Sequence, residues 1–197
     1  MKLFGVQVFH KPSDTKANLQ KGEYDLTSFG YFQRSKVQEF MVFTGQVLVE
    51  RTHAGERKSV KEQEYLCHVY VRSDNTGAVL IADQEYPQRV AFTFLNKVLE
   101  QFVTDFPRRP LPSGEAQTYP VVAELLKKYQ DPKQADSISK VQAELDETKI
   151  ILYDTIESVL QRGEKLDDLV QKSEYLSYTS KTFYQEAKKT NSCCLIL

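Results

Sequence analysis

The residues most capable of chemistry lie at the end of the chain. Cys194-Leu195-Ile196-Leu197 is a cysteine, two aliphatic residues and a leucine, the pattern of a C-terminal prenylation signal. The reaction is alkylation of a free thiol four residues from an exposed carboxyl terminus by a zinc-dependent prenyltransferase. A final leucine favours geranylgeranyl, and cleavage of Leu195–Leu197 is expected to follow. Burial in lipid yields about 0.8 kcal/mol per CH₂, and one chain binds a membrane only reversibly, so stable attachment needs a second signal. Lys188 and Lys189 form a small basic patch, and the neighbouring thiol of Cys193 is better placed to supply that signal.

Elsewhere the chain offers no catalytic set and no metal site. His10, His53 and His68 are isolated. Cys67 and His68 are adjacent in an apolar strand, so they point to opposite faces and cannot act as a pair. There is no glycine-rich phosphate loop and no metal-ligand spacing. The net charge of -1 over 197 residues gives no basic surface for nucleic acid. No apolar run approaches the roughly 18–20 residues that a membrane-spanning helix needs. Met1–Val6 reads as a strand rather than a secretory signal, and the absence of Gly at position 2 argues against N-myristoylation. The chain is therefore expected in the reducing cytosol, with Cys67 a buried core thiol.

The elements that position these groups change character along the chain. Six of the seven prolines lie between Pro12 and Pro120, whereas after Pro132 the only glycine is Gly163. The front is therefore mixed and loop-rich, and the back reads as one long helix. The front pattern predicts strands Lys2–Phe9 and Ala17–Leu26, a helix Ser35–Arg51, then strands Arg57–Lys61, Tyr65–Arg72 and Ala78–Asp83, the last two joined by Asp74-Asn75-Thr76-Gly77. A helix from Pro87 to about Phe106, a loop Pro107–Pro120 and a helix Val121–Tyr129 follow. Adjacent strands with interspersed helices predict an α+β fold with an antiparallel sheet flanked by helices. The Ser35–Arg51 helix is more apolar than one sheet face requires: Val37, Phe40, Met41, Thr44, Val47 and Leu48 share a stripe, while Val42 and Val49 lie opposite and Phe43 on the flank. The loop Pro107–Pro112 loosely resembles a proline-rich recognition peptide and is better read as an extended connector.

In the back half, steps of three and four residues pick out Ile138, Val141, Leu145, Thr148, Leu152, Thr155, Val159, Arg162, Leu166, Leu169, Ser173, Leu176, Ser180, Phe183, Ala187 and Thr190. Ten of these sixteen are apolar, which is enough to define a coiled-coil seam. Such a helix has no core of its own and needs partners. Arg162 sits mid-seam, where a guanidinium is costly unless its five donors meet acceptors. A polar seam residue of this kind fixes register and partner choice. Gly163 beside it allows close helix approach.

The run Val159-Leu160-Gln161-Arg162-Gly163-Glu164-Lys165-Leu166-Asp167-Asp168-Leu169 closely resembles the centre of R-SNARE proteins, and Lys140–Asn191 resembles the whole motif. The front resembles a longin domain, a profilin-like fold. Phe29-Gly30-Tyr31-Phe32-Gln33-Arg34 and Tyr65-Leu66-Cys67-His68-Val69-Tyr70-Val71 are similar to the prenylated longin R-SNAREs. The resemblance divides the chain into a longin domain (1–130), a linker (131–137), a SNARE motif (138–191) and a lipidation tail (192–197). It implies that Arg162 is the zero-layer residue facing three glutamines from Q-SNARE helices in a parallel four-helix bundle, with the other seam positions as packing layers. Thr155 and Ser173 soften layers where larger apolar residues are frequent. Zippering would then draw a vesicle and its target membrane together.

The resemblance also allows farnesyl at Cys194 and implies a palmitoyl or second prenyl chain at Cys193. It implies reversible peripheral attachment to the cytosolic face of Golgi, ER, vesicle, endosomal or vacuolar membranes. A closed state is implied too, with the SNARE helix and lipid tail packed on the longin domain, where Phe40, Phe43 and Val47 would line a groove. Phosphate on Ser173 or Ser180 would add about -1.5 to -2 charges to a seam layer and oppose assembly. Two alternatives compete with this reading. One is self-acylation of Cys193 from acyl-CoA bound to the front domain. The other is a lipidated homotypic coiled-coil scaffold, which would bring like arginines together in one layer.

Overall fold

The computed structural model describes residues 1–12, 16–112, 118–133 and 149–190. Strands β1 (Leu3–His10) and β2 (Asn18–Tyr24) precede helix α1 (Arg34–Glu50). Strands β3 (Arg57–Glu62), β4 (Tyr65–Val71) and β5 (Thr76–Asp83) follow, then helices α2 (Gln88–Asp105) and α3 (Pro120–Tyr129). These elements match the order predicted from the sequence. The β4–β5 turn is tighter than expected. It closes between Arg72 and Asn75, with Asn75 in the left-handed region at φ 61°, and Gly77 already lies in β5.

The sheet has the order β2-β1-β5-β4-β3-β6, where β6 is Ile150–Tyr153 from the C-terminal half. The first five strands pair antiparallel, but β6 runs parallel to β3, pairing Arg57 with Ile150 through Val60 with Tyr153. The sheet is therefore mixed rather than purely antiparallel. A parallel neighbour requires a long connection, and the chain between Glu62 and Ile150, which carries β4, β5, α2 and α3, provides it.

Two cores flank the sheet. A register shift between Leu3 and Gly5 against β5 inserts Phe4 as an extra residue in β1. As a result Leu3, Val6 and Val8 pack with α2 and α3, while Phe4 and Phe9 pack with α1. The α2 stripe of Val90, Ala91, Phe94, Leu95, Val98, Leu99 and Phe102 is fully buried on the first face, as its helical spacing requires. Gln130, just past α3, holds the β1 backbone by accepting from Leu3 N at 2.9 Å and donating to Leu3 O at 2.7 Å.

On the other face α1 lies very close to β1. A Cβ added at Gly45 would overlap the Gln7 side chain and the Phe9 ring, so glycine sets this helix–sheet distance. The α1 C-terminus has no basic residue in its last turn. Two distant lysines serve instead: Lys11 Nζ donates to Glu50 O and Thr52 O, and Lys58 Nζ donates to Arg51 O. Both place positive charge at the negative end of the helix dipole.

Residues 149–190 do not form one helix. They run as β6, a 3₁₀ turn (Ile156–Val159), helix α4 (Leu166–Lys172) and helix α5 (Tyr178–Thr190), which corrects the expectation of a continuous helix. The physical reason is the one that makes a lone coiled-coil strand marginal. In the single chain, the apolar stripe has only the N-terminal domain to pack against, and it breaks wherever following that surface demands a turn.

Candidate functional site: the contact between α1 and the C-terminal segment

The back of α1 is covered by the chain's own C-terminal segment. Eleven residues from Val37 to Val49 are buried, including Val42, Phe43 and Val49 outside the predicted stripe. The core cluster that holds Val37, Phe40, Met41, Phe43, Val47, Leu48 and Val49 also includes Ile156, Val159, Leu166, Val170, Leu176 and Tyr184, with Leu169 and Phe183 packed at its edge. The excess apolar character of α1 thus serves two surfaces, the sheet and the segment.

Polar contacts fix the path of the segment. Ile156 N donates to Glu62 Oε2 at 3.1 Å, and burial raises the Glu62 carboxyl above its ordinary value. Thr155 caps the 3₁₀ turn by accepting from Ser158 N. The chain then reverses over Gln161–Glu164, where Glu164 N donates to Gln161 O at 3.0 Å and Gly163 sits at φ 89°. Glycine with positive φ at the third position matches a type II turn. Glu164 also accepts from Gln161 N at 2.8 Å and from the Arg51 guanidinium at 2.6 and 3.1 Å. Chiefly through the Arg51 bonds, its carboxyl is held below the usual range.

Beyond α4, Ser177 N donates to Glu39 Oε2 at 2.8 Å, and Ser177 Oγ accepts from Ser180 N at the start of α5. Helices α4 and α5 are tied at Asp167, which accepts from Lys188 Nζ at 2.6 and 2.7 Å and from Tyr184 OH at 2.8 Å. These bonds, the lysine's first, lower the Asp167 carboxyl, while burial raises the Tyr184 phenol. The Tyr184 ring lies 6.0 Å from that of Phe40, and Lys36 Nζ sits 4.8 Å from the Phe183 ring centre.

The predicted site residues fall into distinct groups. Val159, Leu166, Leu176 and Ser180 are buried against the domain, and Leu169, Ser173 and Phe183 are half-buried. Leu152, in β6, is 64% exposed. Thr155 and Arg162 are exposed; Arg162 stands at the tip of the turn and outside any core. Phe40, Phe43 and Val47 are all buried. Phe43 and Val47, with Leu169, Ser173 and Tyr175, line an open cavity of about 350 Å³ between α1 and the segment, at the lower end of the range for small-ligand pockets. Ser173 Oγ accepts from Tyr175 N there. Ile138, Val141, Leu145, Thr148, Cys193 and Cys194 lie outside the described residues, as do the side chains of Ala187 and Thr190.

The seam pattern overlooked three anchors of this contact: Ile156, Val170 and Tyr184. Each follows a seam position by one residue, so the surplus apolar residues beside the seam were the available signal. Cys67 lies in the α1-side core, where burial pushes its thiol up to about 12. His68 faces the other way, against the Phe92 ring. Among the described residues no group of three or more His, Cys, Asp or Glu could hold a metal, and no helix is long and apolar enough to cross a membrane.

Two family models match consecutive stretches of the chain. A model of the regulated-SNARE-like longin domain matches residues 26–136, and a synaptobrevin model matches residues 137–196. The synaptobrevin homolog YKT6 of Yarrowia lipolytica is 47% identical over 201 residues. Its counterparts in Schizosaccharomyces pombe and Candida glabrata are 50% identical over 200 residues and 51% over 205. Each of these matches covers 100% of both chains.

Proposed function

The chain belongs to the synaptobrevin-like R-SNARE family whose members carry a longin domain, and on that premise we propose that it alternates between this folded-back form and a parallel four-helix bundle with three glutamine-bearing Q-SNARE helices. One observation carries the reading. Val159, Leu166 and Leu176, which would be packing layers in the bundle, are buried in the core that α1 shares with the sheet, and Ser180, another such layer, is buried at the start of α5. One side chain cannot fill both places, so domain and partners compete for the same stripe. In the bundle, Arg162 enters the zero layer and meets glutamine oxygens, and zippering pulls the C-terminal end toward the partners' membrane. Many apolar layers buried at about 25 cal/mol per Å² supply the gross driving force, less the entropy of ordering the helix.

The membrane end of this machine is lipid. Cys194 takes the prenyl chain and Cys193 a palmitoyl or second prenyl chain, giving reversible attachment to the cytosolic face of secretory or endosomal membranes. The cavity beside Phe43 and Val47 shelters a lipid while the chain is closed. SNARE proteins are not enzymes, and self-acylation from acyl-CoA finds no support in this family membership.

The test is to mix the full-length chain with candidate Q-SNARE helices and measure the stoichiometry and heat resistance of what forms. A four-chain assembly whose register is lost in Arg162→Leu is expected. A homodimer as the sole product, or an Arg162→Leu chain that keeps partner choice and alignment, overturns the reading.

A further inference from the structure

The turn at Gln161–Glu164 interrupts the stretch that must become continuous helix in a bundle. Gly163 adopts φ 89° there. A Cβ added at this position would meet nothing within 4 Å. Packing therefore does not require glycine; backbone conformation alone does. The turn is held from both sides, by Gln161 through its own backbone and by Arg51 through the Glu164 carboxylate. Arg162 is carried at its exposed tip.

We propose that Gly163 sets the balance between the folded-back and bundle-forming states, being left-handed in the first and right-handed in the second. Only glycine visits both regions at comparable cost. The consequences of a methyl group here have opposite signs in the two states. An L-alanine held left-handed disfavours the folded-back form by about 5- to 30-fold. In a helix interior the same residue is favoured over glycine by about fivefold. The position next to the seam arginine therefore acts as a conformational governor, releasing the arginine's turn in step with helix formation. The bundle half of this inference rests on the R-SNARE reading above; the folded-back half does not.

The experiment compares full-length Gly163, Gly163→Ala and Gly163→D-Ala chains, the last made by ligating an expressed N-terminal piece to a synthetic C-terminal one. Amide hydrogen exchange is followed at Ile156–Tyr184 in the chain alone, with β1 and β5 as the internal reference for a folded domain. Gly163→Ala is expected to speed exchange of the segment by about 5- to 30-fold with β1 and β5 unchanged. Gly163→D-Ala, which prefers positive φ, is expected to retain or increase protection. Equal protection in all three chains, or equal loss in both alanine stereoisomers, overturns the proposal. In a second arm, Q-SNARE helices are added: Gly163→Ala should assemble faster than the parent and Gly163→D-Ala more slowly. If the exchange results hold but no variant forms a bundle, the bundle half of the proposal and the reading beneath it are overturned, and the left-handed requirement of the folded-back form stands.

Discussion

Arg51 and Glu164, separated by 113 positions, are joined by two hydrogen bonds, Nε to Oε2 at 3.1 Å and Nη2 to Oε1 at 2.6 Å. The pair is partly exposed, at 15% and 26%, and Arg51 also lies 3.6 Å from Glu50. Two-point geometry strengthens such a pair, whereas solvent screens it. A double-mutant cycle with Arg51→Ala and Glu164→Ala should give a coupling of about 1 kcal/mol for closing the segment, read by exchange at Leu166–Lys172. Additive single effects would show that the pair adds nothing to closure.

Phe43 lies in the core that the segment shares with the domain and is almost fully buried. A carboxylate there cannot be buried dry. Phe43→Glu is expected to free residues 156–184, raising their exchange at least tenfold, and to increase association of the lipidated chain with liposomes. Flotation and exchange values matching the parent would remove Phe43 from the closing surface.

Ser180 is 0% exposed, whereas Ser173 sits at the mouth of the cavity. A negative charge is therefore costlier at Ser180. Ser180→Asp should open the folded-back form more than Ser173→Asp, and the double variant should also assemble poorly with Q-SNARE helices. The reverse order in exchange, or normal bundle formation by the double variant, would count against a phosphate switch at these layers.

His68 is buried with Nδ1 2.8 Å from Ser59 Oγ, which also accepts from Gln88 Nε2 at 2.8 Å. Desolvation depresses the imidazole to about 3. The unfolded chain takes up this proton near 6.5 and the folded chain only near 3, so stability should fall as pH drops through that interval, by about 1.4 kcal/mol per pH unit for one proton. Urea titrations between pH 7 and 4.5 test this. His68→Asn should be less stable at pH 7 and show a shallower decline; parallel curves would exclude His68 as the source.

Cys193→Ser removes only the second thiol. Cell fractionation should find this variant largely off membranes, and mass spectrometry of the mature C-terminus should show a single prenyl chain. Unchanged membrane retention would mean that one lipid suffices.

The domain was readable because its residues serve one environment each. Alternating strands and the α2 stripe found the partners their periods implied, and the shift at Phe4 altered faces without altering the strand. The segment was less readable because its residues serve two. Ile150–Tyr153 falls within a seam of 3.5-residue spacing and yet pairs as a strand. Beside the seam arginine, Gly163 implies close helix approach in the sequence, and in the structure it instead shapes a turn. The apolar surplus on α1 is visible in the sequence, but not where each part of it goes: Val49 packs beside Gly77 of β5, whereas Phe43 shares its core with Ile156, Val170 and Tyr184. The cavity beside Phe43 is not legible in the sequence because it arises from how α1 and the segment fail to close completely.

The parallel strand also bears on what happens after release. While β6 is in place, it satisfies one side of β3. Once it departs, the backbone donors and acceptors of Arg57–Val60 face water, and such a border invites pairing with any passing chain. β3 reads Arg-Lys-Ser-Val-Lys-Glu, with four charges in six residues. In the bundle-forming state proposed above, four charges along that border would oppose indiscriminate strand addition while the tail is engaged elsewhere.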